Sequence, residues 1–143
     1  MTERVFIMKD SIDYKKIWNE LHEEHVVIDD LVKKVHNEDT DQEVILKHLD
    51  DLDFNVMTHF RNEEKFMEDI KYPASAYHKA IHCTLEELLH KIVLCSHLCI
   101  LDKNTLVEAL KKVIMNHVST HDYMLDTYVY ANFTFAEKKK VYG

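Results

Sequence analysis

Glycine is missing from the interior of this chain: among 143 residues the only glycine is the last, Gly143, and the only proline is Pro73. Phosphate-cradling loops, dinucleotide-binding turns and tight hairpins all need glycine where the backbone takes a positive φ or must approach a ligand closely. Helices need neither residue in their interiors. The expected class is therefore all-α. Hydrophobic residues make up 46% of the chain, enough for one core and too many for a disordered polymer. One domain spanning 1–143 is expected.

Four segments place apolar residues at alternating steps of three and four, the narrow seam of a bundle helix. The first is Trp18, Leu21, His25, Ile28, Val32, Val35. The second is Ile45, Leu49, Leu52, Val56, His59, Glu63, Phe66, Ile70. The third is His78, His82, Leu85, Leu89, Ile92, with Ser96 and Cys99 completing it. The fourth is Leu106, Leu110, Val113, His117. Polar breaks at Asn37–Asp41, Lys71–Pro73 and Asp102–Asn104 are short, and short connections make successive helices antiparallel. The spacing predicts an up-down-up-down four-helix bundle over about 18–130, with an N-terminal arm before it and Pro73 in the first turn of the third helix.

The formal net charge of −8 argues against nucleic acid or an anionic membrane as partner, since both demand a basic surface. No run is long and apolar enough to read as a membrane span, and the first residues lack the apolar core of a signal peptide. A cytoplasmic location is expected. Cys83, Cys95 and Cys99 suit reduced thiols; Cys95 and Cys99 lie one turn apart, but no third metal ligand stands near them in the sequence.

The eleven histidines carry the functional signal through their placement. His25, His59, Glu63, His78, His82 and His117 occupy seam positions that should be apolar. Unpaired burial of such groups costs on the order of several kcal/mol each, and a shared metal offsets that cost. His59 with Glu63, and His78 with His82, are i,i+4 pairs that project from one helix face. Imidazole with carboxylate suits zinc, iron, copper or nickel. Five histidines with carboxylates exceed the four ligands of a structural zinc, so two metals are expected. His36, His48, His90 and His97 fall off the seams and are expected in solvent.

In order and spacing these residues resemble the hemerythrin family. Its pattern is matched by His25, then His59-Phe60-Arg61-Asn62-Glu63-Glu64, then Tyr72-Pro73, then His78 to His82, then His117 to Asp122. The resemblance implies two irons. His78, His82 and His117 would hold one, His25 and His59 the other, and Glu63 and Asp122 would bridge them with an oxide or hydroxide. Counted over two six-coordinate irons, those ligands leave one position open, on the His25/His59 side, where dioxygen can bind end-on. The function implied is reversible dioxygen binding for carriage, storage or delivery, without enzymatic turnover. An apolar pocket would protect that position, and Ile28, Phe60, Val113 and Val118 are candidates to line it. The chain departs from the common bacterial pattern at His22, where relatives carry aspartate, and at Val113, where relatives carry tryptophan. His22 is expected at a half-exposed surface position, or as an alternative ligand.

Asp122 poses a problem for helix geometry. His121 follows His117 by four residues and shares its face, whereas Asp122 follows by five. The resemblance selects Asp122, and a bridge must be an anion. The conflict resolves if the helix carries a one-turn π-bulge here, so that the seam resumes at Leu125 and Val129. Competing functions are an oxygen, redox or nitric-oxide sensor acting through a partner, and a weak di-iron oxidase or peroxidase. Ferritin-like oxidases use two Glu-x-x-His motifs, of which only Glu87 to His90 is present.

Overall fold

A computed structural model describes residues 13–37, 41–98 and 102–133. Among these the chain is helical throughout, with no strand. Helix α1 is Tyr14–Asn37, α2 is Gln42–Asp69, α3 is Ser75–His97 and α4 is Lys103–His117. A π-helical turn, Val118–Asp122, follows α4 directly, and α5, Tyr123–Asn132, continues from it. Helix α1 packs on α2, α2 on α3, α3 on α4, and α4 back on α1, which closes a helical bundle. No helix among the described residues is long and apolar enough to cross a membrane.

Local chemistry sets the helix ends. Asp41 accepts a hydrogen bond from the backbone N–H of Glu43 and so caps α2. Asp102 caps α4 by accepting from Thr105 N at 2.9 Å, and the Thr105 hydroxyl donates to its other oxygen at 3.1 Å. Between α2 and α3 the chain turns through Lys71, which sits at φ 57°, in the left-handed region that a side chain disfavours.

Two boundaries differ from the sequence expectation. The first helix begins at Tyr14, four residues into the expected arm, because Tyr14 extends the seam one turn before Trp18 and packs edge-on against Phe66. Residues 1–12 of that arm lie outside the described residues. Pro73 stands before α3 rather than in its first turn: Ala74 is the N-cap and Ser75 the first helical residue.

The apolar interior falls into two clusters. One gathers Ile28 to Val35, Ile45 to Phe60, Leu89 to Val93 and Leu106 to Val113. The other gathers Tyr14 to Leu21, Phe66 to Tyr72, and Leu125 to Phe133. The inward-facing histidines and carboxylates lie where the stretches that feed these two clusters meet.

Candidate metal centre

Each layer of the bundle contributes to one polar knot. His25 comes from α1, His59 and Glu63 from α2, His78 and His82 from α3, His117 from the end of α4, and Asp122 from the end of the π turn. All are buried except His25, whose side chain is 12% exposed. Their donor atoms form two groups: Glu63, His78, His82, His117 and Asp122 in one, and His25, His59, Glu63 and Asp122 in the other. The seven residues singled out in the sequence are thus brought together, and the two carboxylates belong to both groups.

The carboxylate oxygens divide between the groups. Glu63 Oε1 lies 3.0 Å from His78 Nε2 and 3.1 Å from His82 Nε2, while its Oε2 lies 3.6 Å from His59 Nε2. Asp122 Oδ1 lies 3.1 Å from His117 Nε2 and 3.2 Å from His78 Nε2, while its Oδ2 lies 3.3 Å from His25 Nε2. Each carboxylate therefore turns one oxygen to the three-histidine side and the other to the two-histidine side. The imidazoles also bring nitrogens together: His25 Nε2 is 2.7 Å from His59 Nε2, and His82 Nε2 is 3.1 Å from His117 Nε2.

This packing fits metal ligands better than a hydrogen-bonded core. Glu63 Oε1, His78 Nε2 and Asp122 Oδ1 are fully buried and have no hydrogen-bond partner. They approach neighbouring donor atoms closely without the alignment a hydrogen bond needs. Donors on adjacent corners of an octahedron with bonds of about 2.1 Å stand about 3 Å apart, the spacing seen here. Nitrogen and carboxylate oxygen together suit a first-row transition metal. The site is compatible with metal binding on those grounds.

The π turn explains how His117 and Asp122 share a face. Val118–Asp122 form one wide turn, which absorbs the extra residue between them. The seam then resumes at Leu125 and Val129, both buried, while Met124 is 50% exposed. His121, favoured by an ideal helix, is half-buried and joins neither donor group. Its ring packs between Tyr77 and the outer sides of His78 and His117.

Three carboxylates around the site had no role assigned from the sequence, although Glu64 belongs to the matched motif. Glu24 accepts from His59 Nδ1 at 2.7 Å and is itself held by Asn62. Glu64, adjacent to Glu63 but pointing outward from the knot, is 2.8 Å from His82 Nδ1 and is held by Arg61 at 3.1 Å. Arg61 in turn pairs with Glu86 on α3. Such partners fix the ring tautomer and aim the opposite nitrogen inward. Glu64→Ala is expected to weaken metal binding about 10- to 100-fold while leaving the seven donors in place, as measured by competition with a chelator. Unchanged affinity would show that His82 is aimed by packing alone. The third is Asp126, buried one turn beyond Asp122, 3.5 Å from His22 Nε2. Burial raises its pKa, against the opposing pull of His22.

His22 corrects the sequence expectation of a surface position. Its side chain is 14% exposed, its Nδ1 donates to the Trp18 carbonyl at 2.8 Å, and its ring stacks edge-on against Trp18. The i,i+4 spacing from Trp18 turns it inward. It joins neither donor group. Of the remaining histidines, His90 and His97 are exposed as expected and pair with Asp53 and Asp50 on α2. The side chain of His36, and all of Cys99, lie outside what is described.

The knot is strongly polarised. Burial pulls His59 down, but Glu24, Glu63 and Asp122 outweigh it and lift its pKa from 6.5 to about 10. Burial also opposes the charge on His78, yet Asp122 and Glu63 raise it to about 9. Burial would push Glu63 up, and the facing histidines hold it well below its usual 4.5. Asp122 is likewise held low, by His117, His25 and His78 against burial and the neighbouring Glu63. Without a metal, then, His59 and His78 keep their protons through neutral pH, and a metal must displace them. Loading at pH 7 should release protons, measurable in a weakly buffered indicator solution, and affinity should fall as the pH is lowered. Proton-free loading would contradict this picture.

Beside the two-histidine group lies a cavity of about 450 Å³, lined by residues of α1 to α4 and the π turn. Ile28, Phe60, Val113 and Val118, the four expected pocket residues, all line it. Phe60 also stacks flat on His82, with ring centroids 3.8 Å apart. No family model, curated protein or solved structure matches the chain.

Proposed function

We propose that this chain is a hemerythrin-like protein that binds dioxygen reversibly at two irons held in the bundle core. The observation that carries the reading is the division of the Glu63 and Asp122 oxygens between a three-histidine and a two-histidine group. One metal cannot use donors so divided. Two can, with both carboxylates as bridges, and the group with fewer histidines keeps a position for an external ligand. That group faces the apolar cavity. Iron pairs of this kind supply reversible two-electron binding of dioxygen.

The chain's own residues support that chemistry in distinct ways. His78, His82 and His117 would hold one metal together with Glu63 and Asp122. Glu24 holds the proton on His59 Nδ1, so that Nε2 is the donor nitrogen. Glu64 does the same for His82. Ile28, Phe60 and Val113 are all buried, and give the open side an apolar lining. The order in which the helices meet the two apolar clusters alternates along the chain, which supports an up-down-up-down antiparallel course. A cytoplasmic carrier or store, with dioxygen as its partner and no turnover of its own, follows from this reading.

The test is anaerobic reduction of the iron-loaded protein followed by oxygen titration under visible spectroscopy. A charge-transfer band that appears with oxygen and disappears on purging, over repeated cycles, is the expected result. Immediate, irreversible oxidation with release of hydrogen peroxide would overturn the carrier reading in favour of an oxidase or sensor.

A further inference from the structure

The cavity beside His25 and His59 is much larger than dioxygen requires. A water-sized molecule occupies about 30 Å³ of liquid, and pockets of about 300–1,000 Å³ are the size class of organic ligands. At about 450 Å³ this one belongs to the second class. Its walls are Val56, Leu85, Leu89, Val113 and Ile114, all buried or half-buried and all apolar. The polar groups that reach it are already engaged. His25, His59, His117 and Asp122 belong to the donor knot, and His22 is turned to the Trp18 carbonyl and Asp126. Asp29 at the edge is paired with Lys33 at 3.1 Å. Apart from the knot at its floor, no lining residue offers an unpaired countercharge to an ionic ligand. The rim is apolar too: Val26 is 69% exposed and Met115 is 48% exposed. Methionine at such a rim adapts its shape to varied apolar surfaces.

We propose that this cavity binds a neutral, apolar organic molecule, of the size of a two- or three-ring aromatic, with the two-histidine side of the metal knot as its floor. The cavity opens to solvent past Val26 and Met115, so an apolar occupant releases water from an apolar lining and gains dispersion contacts along it. Seated there, such a molecule covers the approach to His25 and His59. Its consequence for oxygen access rests on the proposed function, but its binding does not.

The experiment uses the full chain, metal-free and iron-loaded, titrated with the neutral fluorophore 1-aminoanthracene. The expected result is saturable binding of one probe per chain with blue-shifted emission, reversed by adding naphthalene. Val113→Trp should weaken it at least tenfold by filling the cavity, and Ile114→Trp at the half-buried rim serves as the second filling variant if the first does not fold. Circular dichroism checks the fold of each. Emission that rises without saturation, or probe binding unchanged in a folded filling variant, would overturn the proposal. Probe binding as expected in a chain that takes up no iron would leave the cavity site standing and remove the di-iron reading. Two irons with no probe binding would do the reverse.

Discussion

Glu63→Ala is expected to abolish binding of the metal pair and to destabilise the metal-free fold by about 3–5 kcal/mol, the cost of removing one partner from a buried ionic cluster. Glu63 faces His59, His78 and His82, and its pKa is held low by them. Without it, His59 and His78 lose the anion that sustains their charge, and two cations would share the single carboxylate of Asp122. Glu63→Gln separates the two effects. It keeps volume and one acceptor oxygen but no charge, so it should fold better than the alanine variant and still fail to hold two metals. Metal content after gel filtration and denaturant unfolding read the two quantities independently. A Glu63→Gln protein that retained a full metal pair would refute the bridging role.

A comparable loss is expected from Asp122→Ala, with His121→Ala as its control. The two residues are adjacent, yet Asp122 is 2% exposed and faces His25, His78 and His117, while His121 packs on Tyr77 outside both donor groups. Asp122→Ala should lose the metal pair or weaken it more than a hundredfold, on the order of 3 kcal/mol at 1.4 kcal/mol per decade. His121→Ala should keep the site. The π turn brings Asp122 inward and also sets Leu125 and Val129 in the core, so it should persist in Asp122→Ala. Local amide exchange over 118–122 reports whether the turn is kept or relaxes toward α-helix. Metal loss on His121→Ala with retention on Asp122→Ala would mean that ordinary helix periodicity, and not the widened turn, sets the ligand.

The seams were legible because burial imposes a period. Trp18, Leu49, Leu52, Leu89 and Leu110 are all nearly inaccessible, and each was marked by steps of three and four. The knot was legible for the opposite reason: polar residues that break an apolar period in every segment must be compensated together. The π turn was legible only through the family resemblance and the need for a bridging anion, since periodicity alone selects His121. What escaped was the layer behind the ligands. Glu24 and Glu64 each stand beside a ligand in sequence, off the seam, where periodicity does not separate a carboxylate from a solvated helix residue; Glu64 was marked only by the motif it closes. Only the position of a neighbouring helix brings Glu24 to His59 and Glu64 to His82. His22 was placed too far out, although its spacing of four from Trp18 turns it inward; its other partner, Asp126, comes from the far end of the chain. Pro73 was displaced by two residues, since Lys71 takes up the reversal in a left-handed turn and Ala74 becomes the cap.

The most direct measurement is metal stoichiometry. The chain, unfolded and refolded anaerobically with ferrous iron and passed through a desalting column, is analysed by inductively coupled plasma mass spectrometry and by protein concentration. Seven donors divided into two groups with shared Glu63 and Asp122 should retain two irons per chain. One tightly held metal per chain, or a preference for a single zinc that iron cannot replace, would contradict the di-iron centre and every function derived from it.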